Sequence, residues 1–86
     1  MNAFKLKIAS PDGNVYSGDA VRISLRGSLG DFAVMAGHAP FVTSVKPCTV
    51  KVDISESETL SGTTDGGLLT VKDNIVTFLS SSFKKD

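Results

Sequence analysis

The feature that most constrains the fold is a two-residue rhythm that recurs along much of the chain. Phe4, Leu6 and Ile8 alternate with Lys5 and Lys7; Val21, Ile23 and Leu25 alternate with Arg22, Ser24 and Arg26; Cys48, Val50, Val52 and Ile54 repeat the pattern. Successive side chains of an extended strand point to opposite faces, so each run has one apolar side and one solvated side. Nowhere do apolar residues recur at helical spacing over eleven or more positions.

The punctuation agrees with strands. Pro11-Asp12-Gly13-Asn14 supplies a preset φ and a glycine, and reverses the chain into Val15 and Tyr16. Gly27 and Gly30 end the second alternating run. Asp31 to Met35 reads as a short strand, 36–40 as a tight loop, and Phe41 to Val45 as a strand stopped by Pro47. Ser55-Glu56-Ser57-Glu58 turns the chain toward a strand near Thr59 to Thr64. Leu68 to Val71 and Ile75 to Leu79 form a hairpin across Asp73-Asn74, two residues that tolerate the left-handed conformation of tight hairpin turns.

The expected fold is all-β: an antiparallel β-sandwich or flattened barrel of about eight to ten short strands. It is expected over residues 1–80, with Ser81 to Asp86 as a frayed polar tail. At 86 residues there is room for one modest core.

Charge and cysteine content narrow the function classes. Nine basic and nine acidic residues give a net charge of zero, so no long-range field exists to hold nucleic acid or an anionic bilayer. The single cysteine, Cys48, has no internal partner, and Met1 to Ala9 lacks the unbroken apolar run of a signal peptide; a reducing compartment is expected. No stretch approaches the roughly 20 apolar residues of a membrane-spanning helix, so any membrane contact is expected through partners.

No pattern of catalytic residues stands out. His38 is the sole histidine and no carboxylates stand at ligand spacing from it; it is expected as a loop residue whose ring bonds the backbone of a tight turn. Cys48 lies on an apolar strand face and reads as core filler. Gly66-Gly67 is followed by neither Lys-Ser nor Lys-Thr nor a helix, which makes it a turn and not a phosphate cradle. No cofactor, metal, nucleic acid or small-molecule substrate is expected, and no enzymatic activity.

Several short motifs together carry a resemblance. They are Pro11-Asp12-Gly13 with Val15-Tyr16 and Gly18, Gly30-Asp31-Phe32 with Val34, Gly37-His38-Ala39-Pro40, Lys46-Pro47, Gly66-Gly67-Leu68-Leu69 with Val71, and Asp73-Asn74 with Val76-Thr77. In this order the sequence resembles the N-terminal β-sandwich domain of the epsilon subunit of F-type ATP synthases, from about Phe4 to Leu79. It departs from the pattern at Ala36, where proline is usual, at Cys48 in place of a glycine, and at Thr64-Asp65 before the double glycine.

The resemblance implies a non-catalytic rotor part of the central stalk, linking the gamma subunit to the ring of c subunits and coupling ion translocation to ATP synthesis. It implies a peripheral location on the cytoplasmic face of the bacterial inner membrane or an equivalent coupling membrane. Family position places the loop Gly27 to Asp31, with Ser28, Leu29 and Asp31, toward the c ring; a basic loop residue is expected as the partner of Asp31, and His38, Ala39, Pro40 and Thr43 are expected toward gamma. Inhibition of hydrolysis and nucleotide binding belong to a C-terminal helical hairpin in that family and are not implied for this segment. The alternative is a lipoyl- or biotinyl-type carrier domain, another compact sandwich, modified at Lys72 beside Asp73-Asn74; the flanking methionines or acidic residues are missing before Lys72.

Overall fold

A computed structural model describes residues 2–86; the start of the expected domain, Met1, lies outside them. The described residues form ten strands and no helix. They are β1 (Phe4–Ser10), β2 (Gly13–Ala20), β3 (Arg22–Gly27), β4 (Gly30–Met35), β5 (Phe41–Val45), β6 (Cys48–Asp53), β7 (Thr59–Thr64), β8 (Gly67–Lys72), β9 (Ile75–Ser80) and β10 (Phe83–Lys85).

One continuous sheet runs β10-β7-β6-β3-β5-β8-β9-β1-β2, with β4 on β3, and folds over into two layers. Strands β4, β3, β6, β7 and β10 make the first layer; β5, β8, β9, β1 and β2 make the second. A narrow seam joins them, the Gly27–Val45 pair and the Lys46 N–H bond to Arg26 O at 2.8 Å. On the far side β10 and β2 are not paired, and a cleft of about 240 Å³ lies between Ser10, Asp12, Gly13, Asn14 and Val15 and the pair Phe83 and Lys85.

The alternating runs supply the core. Phe4, Leu6, Ile8, Ile23, Leu25, Val50, Val52, Leu69, Val71, Val76 and Phe78 all turn inward and are buried. Each such side chain contributes roughly 1.5–3 kcal/mol of transfer free energy, which is why the rhythm dictates the fold. Cys48 packs half-buried at the core margin, as its place on the apolar face implied.

Two details differ from the sequence expectation. Strand β1 runs parallel to β9, with Leu6 beside Val76 and Ile8 beside Phe78, while the other pairs are antiparallel. A half-buried strand shows the same alternation in either direction, so strand polarity is invisible to periodicity. The polar C-terminal residues do not fray: Phe83–Lys85 add to β7 as β10, and Asp86 N–H bonds Ser61 O at 3.0 Å. Phe83 packs against the core over Gly62, where an added Cβ would stand 2.6 Å from the Phe83 ring. Shape at β7 thus defines β10, which has too few apolar residues to show any period.

The β8–β9 hairpin forms as expected, with Asp73 at φ 53° and Asn74 at φ 61°, the left-handed pair of a type I′ turn. Gly66-Gly67 sits where the layers crowd together. A Cβ on Gly66, whose φ is +118°, would come 2.7 Å from Val45 O, and one on Gly67 would strike Leu79 O.

Candidate functional site

Of the six large hydrophobic side chains exposed among the described residues, four lie on the outer face of the second layer: Val42, Leu68, Ile75 and Leu79. Their positions follow from register. Val42 and Ser44 on β5 oppose Thr70 and Leu68 on β8; Leu68 and Thr70 in turn oppose Leu79 and Thr77 on β9. Ala9 and Lys7 of β1 continue those two rows beside Leu79 and Thr77. The centre of this face is therefore flat, apolar and hydroxyl-bearing, while Lys5, Lys7 and Lys72 sit toward one end. Leu68 follows Gly67 and precedes buried Leu69, so two adjacent leucines place one side chain on each face.

A second feature is the β3–β4 hairpin, whose tip is Ser28-Leu29. Leu29 is fully exposed, at 103% of its reference area. Behind it a groove of about 360 Å³ runs between the hairpin and β5, lined by Leu29, Asp31, Phe32, His38, Phe41 and Thr43 among others. Phe32 meets Phe41 edge to face at 5.9 Å, and the His38 ring lies over Phe41 at 4.8 Å.

The structure gathers most of the residues singled out by sequence. Ser28, Leu29, Asp31, His38 and Thr43 line one groove, so the two sets meet. Ala39 and Pro40 are exposed in the loop beyond His38. The His38 ring bonds its neighbour's carbonyl, Nδ1 to Ala39 O at 2.7 Å, as a turn residue should. Thr43 shares the inward parity of Phe41 and Val45 and donates its hydroxyl to Ser44 O at 3.1 Å. Asp31 is not a free carboxylate. It faces Arg26 directly across the hairpin, and Arg26 Nε donates to Asp31 Oδ1 at 2.8 Å. That hydrogen bond, then the guanidinium charge, holds the Asp31 carboxyl below its usual range.

Lys72 is the last residue of β8, paired to Ile75, and the hairpin tip is Asp73-Asn74. The outer-face residues Leu68, Ile75 and Leu79 were not among the sequence candidates. Their signal is β8 and β9 carrying apolar residues on both faces, which a one-sided strand does not need.

Among the described residues no three His, Cys, Asp or Glu side chains group to hold a metal ion. What the geometry defines is a small β-sandwich with two exposed apolar features, one flat and one grooved, meeting at Val42. The family model for the ATP synthase, Delta/Epsilon chain, beta-sandwich domain matches residues 3–86, and the chain belongs to that family.

Among curated relatives, the ATP synthase epsilon chain of Clostridium perfringens is 34% identical over 82 residues, covering 95% of this chain and 62% of the relative. The ATP synthase epsilon chain 1 of Methylococcus capsulatus is 37% identical over 75 residues, 87% of this chain and 54% of the relative. This chain thus spans about three-fifths of the curated relatives it matches. Two solved structures share the fold. One is in the Euglena gracilis mitochondrial ATP synthase (OSCP/F1/c-ring), with TM-score 0.90 and 20% identity over 96% of this chain and 53% of that one. The other is in the Tetrahymena thermophila mitochondrial ATP synthase central stalk/c-ring, with TM-score 0.81 and 13% identity over 93% of this chain and 64% of that one. The family is that of the ATP synthase resemblance and not of a carrier domain modified at Lys72.

Proposed function

We propose that this domain is a non-catalytic part of the rotor of an F-type ATP synthase, docked on the gamma subunit and on the c-subunit ring. It couples ring rotation to the catalytic head from a peripheral position on the coupling membrane, the cytoplasmic face of the inner membrane in a bacterium. The observation that carries this, beyond family membership, is the flat face of Val42, Leu68, Thr70, Thr77 and Leu79. Exposed apolar surface gathered on one face marks an interaction surface, and a stiff two-layered sheet presents it without deformation. Two interfaces of about 800 Å² a side would occupy roughly a third of the 5049 Å² surface.

The gamma subunit takes the flat face and the adjoining loop residues His38, Ala39 and Pro40, with Thr43 at the groove. The c ring takes the hairpin tip at Ser28, Leu29 and Asp31. There a basic loop residue of the ring shares the Asp31 carboxylate with Arg26. Co-purification with gamma and the c ring tests the assignment, together with Asp31→Lys in reconstituted vesicles. The variant is expected to fold normally and to lose coupling between ion flow and ATP synthesis. Full proton-driven synthesis with Asp31→Lys removes Asp31 from the c-ring interface, and failure to recover either partner removes the rotor role.

A further inference from the structure

The loop at 36–40 carries His38, yet its own hydrogen bonds are mostly local: His38 N–H reaches back to Met35 O at 3.3 Å, and the His38 ring bonds Ala39 O. One bond leaves it for a distant element. Gly37 N–H donates to Asn74 Oδ1 at 3.0 Å, across 37 positions of sequence. The other half of the same amide is also engaged, since Asn74 Nδ2 donates to Ala3 O at 2.9 Å. The backbone of the residue completes the knot by accepting Lys5 N–H at 3.1 Å.

We propose that Asn74 is a positioning residue that fastens the His38-bearing loop to the β8–β9 turn, so that the pose of the loop depends on that side chain, whose amide group also ties the turn to Ala3 before β1. Three properties meet in this one side chain. An asparagine tolerates the left-handed φ of 61° that the turn demands. Its amide offers an acceptor and a donor together, and only one orientation of that amide satisfies both an N–H and a carbonyl. Its reach spans a shallow groove lined by Asn2, Ala3, Ala36, Gly37 and Asn74, where the loop and the chain start come together. Glycine keeps the turn and removes both side-chain bonds; aspartate keeps the acceptor for Gly37 and loses the donor to Ala3.

The docking consequence rests on the gamma assignment above, and the experiment separates the two. Amide exchange at Gly37 is followed by NMR in wild type, Asn74→Gly and Asn74→Asp, and the affinity of each for the gamma subunit is measured alongside. In Asn74→Gly the Gly37 amide is expected to exchange roughly threefold to tenfold faster, the loss of one hydrogen bond. Gamma affinity is expected to fall by a similar factor, with the sheet signal in circular dichroism unchanged. Asn74→Asp is expected to restore Gly37 protection and most of the affinity at neutral pH. Unchanged Gly37 exchange in Asn74→Gly overturns the clamp itself. Faster exchange with unaltered gamma affinity leaves the clamp standing and overturns its docking role, because the loop is then not part of that interface.

Discussion

The two outer faces of the sandwich are made of the same element and have opposite chemistry. On the first layer the outward residues of β3, β4 and β6 include Arg22, Arg26, Asp31, Lys51 and Asp53, with Arg22 opposite Asp53 and Arg26 bonded to Asp31. On the second layer the middle of β5, β8 and β9 offers Val42, Leu68, Thr70, Thr77 and Leu79. Both satisfy the same inward rhythm, so folding alone does not account for the difference. A charged face, here with the one ion pair Arg26–Asp31, is content in water, whereas a flat apolar one gains free energy by being covered.

The sharpest way to break this comparison uses two neighbours in β9. Phe78 is fully buried and Leu79 is about half exposed. Phe78→Ala is expected to cost about 3–5 kcal/mol through cavity formation, lowering the thermal midpoint by some 15–30 °C, or to prevent folding. A midpoint within a few degrees of wild type would mean the core has been drawn on the wrong side of β9. Leu79→Glu is expected to keep stability within about 0.5 kcal/mol and to weaken gamma binding by a hundredfold or so, since it places a charge in a desolvated contact. Titration calorimetry with gamma reads this directly, and undiminished affinity would make the flat face a bystander.

On the charged layer, Lys51→Glu is expected to change gamma affinity by about twofold or less, because a solvated charge outside a contact acts weakly through salt. A large loss there would reverse the assignment of the two faces. The smallest expected effect is the pH response of the Arg26–Asp31 pair. The Asp31 pKa is lowered by Arg26, so its contribution is fully present above the ordinary carboxylate value and disappears as pH falls through the depressed one. Both groups are solvated, so the shift in midpoint unique to this pair, judged against Asp31→Asn, should be about two degrees or less.

Much of the fold was legible because burial writes itself into the chain at period two. The Phe4-Leu6-Ile8, Ile23-Leu25 and Val50-Val52 runs are all core, and the Asp73-Asn74 turn has both residues left-handed, as that dipeptide suggests. What stayed hidden depends on neighbours distant in sequence. The parallel seating of β1 against β9 comes from where the last hairpin lies, and β10 from the space over Gly62. Of the residues singled out by sequence, Ser28, Leu29, Asp31, His38 and Thr43 share one groove, a matter of placement; the docking roles given to them are proposals. The flat face was missed because β8 and β9 carry apolar residues at both parities, and only register shows that Leu68, Ile75 and Leu79 are the outward set. The Asn74 clamp joins positions 37 residues apart, which no local pattern encodes.

The sheet is sewn along a single seam at Gly27 and Val45 and left unsewn between β2 and β10. Such a body is a split barrel: one long edge is closed by hydrogen bonds and the opposite one is not. No ladder hydrogen bonds cross the open side, where Phe83 packs against the core and a cleft separates it from the β1–β2 turn. The main-chain closure of the body is thus one-sided, and on the other side the two layers are held together by side-chain packing.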